Sequence, residues 1–178
     1  GTPAVKRVAL VGNCVPRRCG IATFTYDLCR SLGAADRQAE VFVVPVNDIA
    51  GGYDYPRDVW FEIAEKQVES YQQAADFLNL HDVDVVCLQH EFGIFGGPAG
   101  RHVLALLRGL NMPVVATLHT VLREPTDEQR TVMTGLIERS DRLVALSRHG
   151  GDLLREVHGV PNEQIAVIPH GIPDTSFV

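Results

Sequence analysis

The chain has 178 residues and a hydrophobic fraction of 46%, enough for one domain with a sizeable core. Acidic residues outnumber basic ones, 22 to 16, giving a net charge of −6 that argues against nucleic acid as a main partner, since phosphate backbones need a basic footprint. No apolar stretch has the length of a transmembrane segment, and GTPAVKRVALVG runs straight into a strand pattern with no signal peptide. The expectation is a cytoplasmic protein with reduced thiols at Cys14, Cys19, Cys29 and Cys87, a peripheral seat at the membrane remaining open.

In chain order, RVALVG (7–12) reads as a first strand. Ile21, Phe24, Leu28 and Leu32 then recur at helical spacing from Gly20 onward, with Gly33 as the expected stop. VFVVPV (41–46) is a second strand, NDIAGGYDYP a turn-rich segment, and VWFEI (59–63) a short strand. A polar helix over 65–79 turns Val68, Tyr71, Ala75 and Leu78 inward. VDVVCLQ (83–89) is a strand followed by the loop EFGIFGG. Pro98 suits the first turn of a helix that buries Val103, Leu104, Leu106 and Leu107 and closes at Gly109. PVVATL (113–118) is a strand, and Thr126 with Gln129 fits a capping box ahead of Val132, Met133, Leu136 and Ile137. RLVAL (142–146) is a strand, Ser147 caps the next helix, Gly159 ends it, and IAVI (165–168) is the last strand. Alternating elements of this kind predict an α/β fold: a Rossmann-like, doubly wound parallel sheet with helices on both faces.

Three of the apolar runs, VVCLQHE, VVATLHT and IAVIPHG, end in a histidine: His90, His119 and His170. Open parallel sheets bind ligands outside the carboxyl ends of their strands, so the repetition points to a working edge. A shared metal does not follow. With sequential strands as neighbours, His90 and His119 are about 4.8 Å apart, but His170 is about 14 Å away. The cysteine spacing is not that of a zinc site either. No metal is expected.

The loop GNCVPRRCGIATF joins the first strand to the first helix, where backbone N–H groups make a natural phosphate site. Gly12 and Gly20 are too far apart for the dinucleotide fingerprint, and there is no Gly-Lys-Ser/Thr. Arg17 and Arg18 make the loop electropositive and suit an anion or an acceptor. Asp48 sits where a ribose-binding acid would follow the second strand. In HEFGIFGG, the glycines Gly93, Gly96 and Gly97 permit tight turns beside a ligand; His90-Glu91 is not a metalloprotease motif, since position 94 is isoleucine.

The GIATFTYDL helix start, the LQHEFGIFGG loop, the ATLHT and LVALS strand ends and the VIPHGI exit, in this order, resemble the N-terminal domain of a family 4 (group 1, GT-B type) glycosyltransferase over nearly the whole chain. The resemblance implies one half of a two-domain GT-B architecture, with residues 1–178 on the acceptor side and a donor-binding C-terminal domain with paired glutamates outside this chain. It implies a retaining enzyme without a metal cofactor that moves a sugar from a nucleotide-sugar donor to a glycan or lipid-linked acceptor, as in polysaccharide biosynthesis. His119 becomes the candidate catalytic residue beside the transferred sugar. Gly20 approaches the donor phosphates; where the family often has two glycines, this chain has Cys19-Gly20. Arg17, Arg18, His90, Glu91 and Phe92 fall to the acceptor, and His170-Gly171 to the crossing between domains. The isolated domain is expected to be inactive. A freestanding Rossmann-like nucleotide- or ligand-binding module is the alternative.

Overall fold

The structure, a computed structural model, describes residues 4–169. Seven parallel strands form one sheet: β1 (Arg7–Gly12), β2 (Glu40–Asn47), β3 (Ile63–Ala64), β4 (Val85–His90), β5 (Val114–Leu118), β6 (Arg142–Ala145) and β7 (Ile165–Val167), in the order β3-β2-β1-β4-β5-β6-β7. The helices are α1 (Gly20–Ala35), α2 (Val68–Leu80), α3 (Val103–Gly109), α4 (Asp127–Arg139) and α5 (Arg148–His158). The chain winds outward from β1 to β3, returns through α2 to β4, and then runs the other way. Right-handed crossovers therefore put α1 on one face and the later helices on the opposite face. The two cores follow this division. Val8, Leu10 and Val43 pack with Cys29 and Leu32 of α1. Ala9, Val11, Phe42 and Leu88 pack with Tyr71 and Leu78 of α2, Leu106 of α3, Leu136 of α4 and Leu154 of α5. Each aliphatic side chain fully withdrawn from water in this way contributes about 1.5–3 kcal/mol. No helix among the described residues is long and apolar enough to cross a membrane.

The expected strands are present to within two residues at each end, except at VWFEI. There Val59 makes a lone bridge to Val43, and the strand proper is Ile63–Ala64 beside Val46 and Asn47. The intervening chain leaves the ladder: the Trp60 ring stacks on Phe42 at 4.1 Å, and Glu62 accepts from the Asn47 amide. The capping signals at Thr126/Gln129, Ser147 and Gly159 are realised, the last with a left-handed φ of 64°.

Gly33 does not end α1. The helix continues to Ala35 and stops at Asp36, whose carboxylate takes the Gln38 N–H and turns the chain. α2 begins at Val68, which is half-buried, and not at 65. Pro98 opens a separate single turn, Pro98–Gly100. Gly100, at φ 74°, lies so close to the Phe92 carbonyl that a Cβ would stand 2.6 Å from it, and α3 starts only at Val103. Gly109 ends α3, but its lack of a side chain serves contact with α2, where a Cβ would meet that of Ala75 at 2.8 Å.

Candidate functional site

Strand order reverses between β1 and β4, and the crevice expected at such a switch point is present. It is a cleft of about 420 Å³ lined by Asn13, Arg17, Cys19, Gly20, Ile21, Glu91, Ile94 and His119. Its walls come from the end of β1, the start of α1 and the loops after β4 and β5. A larger hollow of about 530 Å³ lies at the opposite edge, around Lys6, Arg7 and Asp84. Its polar groups are engaged with one another: Asp84 accepts the Lys6 and Arg7 N–H groups, and Arg7 pairs with Glu40. It is also at the amino end of the strands, away from the helix N-termini that favour ligands.

The α1 side of the cleft is prepared for negative charge. Cys19 is the N-cap, its Sγ accepting the Ala22 N–H at 3.3 Å and the Asn13 amide at 3.4 Å. The first turn of α1 holds no acidic residue, so the positive end of the helix is uncompensated. Among the described residues, a Cβ on Gly20 would meet nothing beyond the local chain within 4 Å. Packing therefore does not require glycine at this position, and what it keeps open is room in the cleft. Arg17 donates to Asn13 Oδ1 at 3.1 Å and lies 3.6 Å from Asp48. Asp48, the candidate ribose-binding acid, is thus paired with Arg17 and also accepts the Tyr53 hydroxyl.

The β4–β5 side is held by three successive ties. Gln89 Oε1 lies 3.0 Å from His119 Nε2, the His119 N–H donates to the His90 carbonyl at 2.9 Å, and the Thr120 hydroxyl donates to Glu91 Oε2. The other Glu91 oxygen caps the turn at Phe92 N. Phe24 of α1 stands edge-on to the His119 ring at 4.9 Å.

Of the candidates from sequence, Arg17, Gly20, Glu91 and His119 meet in this cleft. Arg18 is exposed and not part of its wall, and Phe92 packs against the core. His90 is fully buried, stacked on Phe95 and edge-on to Phe92. Burial, aided by nearby His119, pushes its pKa down to about 3, so the ring is neutral. His170 and Gly171 lie outside the described residues. The four cysteines are free thiols, and burial pushes Cys29 and Cys87 up to about 11 and Cys14 up to about 12. Asn13, Ile94 and Gln89 belong to the site without a sequence signal of function, and Cys19 enters it as the N-cap beside Gly20. Gln89 was the polar interruption in VVCLQH; Ile94 gave no signal.

The profile described as Glycosyltransferase Family 4 matches residues 19–176, most of the chain. The chain belongs to this family. The matching part is the family's N-terminal domain, and the seven-stranded parallel sheet agrees with it. No curated protein matches the chain. The matched span holds both sides of the cleft apart from Asn13 and Arg17.

Proposed function

We propose that the chain is the acceptor-side half of a retaining, GT-B type glycosyltransferase that uses a nucleotide-sugar donor and a glycan or lipid-linked acceptor. The observation that carries this is the meeting of Arg17, the open backbone at Gly20 and His119 in one cleft at the switch point. In the transfer, the bond from the anomeric carbon to the diphosphate breaks, the acceptor hydroxyl oxygen bonds to that carbon, and the hydroxyl proton passes to the departing diphosphate. The charge left on the diphosphate favours the uncompensated N-terminus of α1, approached closely at Gly20. His119 hydrogen-bonds the transferred sugar, and Arg17 engages the acceptor. A second domain supplies the donor site and closes over the cleft, positioning the reactants together.

The test is product formation by the full-length protein with a panel of UDP-, GDP- and ADP-sugars and glycan or lipid-linked acceptors. Transfer by the full-length protein and none by residues 1–178 alone is expected. Turnover by the isolated chain, or nucleotide-sugar transfer that ignores replacement of His119, would contradict the reading.

A further inference from the structure

We propose that Gln89 is a positioning residue that fixes the orientation and protonation of the His119 ring. This deepens the transfer reading and rests on its assignment of His119. Gln89 is fully buried near the end of an otherwise apolar strand, where a leucine would fill the same space. β1 makes room for it: a Cβ at Gly12 would come within 3.0 Å of Gln89 Cβ and 3.4 Å of its Cγ. Its Nε2 has no hydrogen-bond partner among the described residues. Burying such an amide costs stability, so Gln89 is a poor choice for holding the core together.

Its amide oxygen is spent on one contact, the 3.0 Å approach to His119 Nε2. The backbone bond from His119 to the His90 carbonyl sets where the histidine begins, and the edge-on Phe24 ring limits its tilt. The Gln89 oxygen then selects the remaining rotation. A carbonyl oxygen only accepts, so a ring held by it carries a proton on Nε2. Gln89 reaches no ligand; it acts through His119.

The experiment is ¹⁵N NMR of the histidine rings in this chain, with Gln89→Met and Gln89→Glu, alongside thermal melting. The wild-type His119 ring shows a protonated Nε2 whose N–H exchanges slowly with water. Gln89→Met speeds that exchange at least tenfold while melting no lower than wild type. Gln89→Glu, which still offers an acceptor oxygen, keeps the protonated Nε2. A wild-type ring protonated at Nδ1, or an unchanged His119 signal in Gln89→Met, overturns the proposal. So does a Gln89→Met variant that melts well below wild type with its slow-exchanging N–H retained, since Gln89 then serves packing. These readouts need no sugar transfer. A full-length His119→Ala enzyme with normal turnover would sink the transfer reading while leaving the hold of Gln89 on the ring intact.

Discussion

β4 and β5 lie side by side in parallel, and each brings a histidine to the same edge of the sheet, yet the two rings have opposite surroundings. His90 is the last residue of β4 and is paired with Leu118, so its ring falls on the core side, sealed between Phe92 and Phe95. His119 is one step beyond Leu118, and its ring meets Gln89 and Phe24 at the wall of the cleft. Side chains alternate across a strand, so one residue of phase separates a core histidine from a site histidine. Ending a strand in histidine does not by itself make a ligand-facing group.

The largest stability effect should break the comparison on the His90 side. His90→Ala removes a fully buried ring and should cost about 2–4 kcal/mol in denaturant unfolding. His90→Leu refills the space without two ring nitrogens that lack a partner among the described residues, and should lie within about 1 kcal/mol of wild type or above it. A large loss in His90→Leu would mean that the imidazole itself is needed there.

A pH series sharpens the same point. In the fold His90 takes a proton only near pH 3, whereas its ordinary value is 6.5, so between these the unfolded chain binds more protons. Stability complete above about pH 6.5 is therefore lost as pH falls through that window, at up to about 1.4 kcal/mol per pH unit. His90→Leu should show a flatter dependence in urea titrations at successive pH values; equal slopes would refute the buried neutral histidine.

Across the cleft, Cys19→Ala deletes the N-cap of α1 and should cost about 1 kcal/mol, whereas Cys19→Ser should keep most of it. Gly20→Ala should change stability least, within about 0.5 kcal/mol, because among the described residues nothing beyond the local chain lies within 4 Å of the added Cβ. In the full-length enzyme it should instead raise the KM for the nucleotide-sugar donor several-fold; an unaltered KM would show that the open backbone at Gly20 serves no ligand.

Much of the fold was legible because its signals are local. β-branched runs marked the strands, and Thr126 with Gln129, Ser147 and Gly159 marked helix ends through chemistry within a few residues. The errors came where a competing turn or a close approach decided. Gly33 was overridden by the turn at Asp36, and Pro98 by the close approach of Gly100 to Phe92. The site was legible to the same degree. Arg17, Gly20, Glu91 and His119 follow strands at the carboxyl edge of the sheet, so their meeting in one cleft could be read from position. Ile94 and the Gln89–His119 contact depend on how β4 and its loop sit beside β5 and α1, which no local pattern records. His90 was misleading for the same reason, since its facing depends on a register with Leu118 that sequence does not carry.

The most direct measurement is the turnover of full-length His119→Ala and His90→Leu enzymes, side by side, with the same nucleotide sugar and acceptor. The expected result is a loss of about a hundredfold or more for His119→Ala, the scale of a lost positioned polar group, with its folding intact, and turnover within about threefold of wild type for His90→Leu. Equal losses in the two variants, or normal turnover in His119→Ala, would contradict the assignment of the cleft at the β1–β4 switch point as the working site.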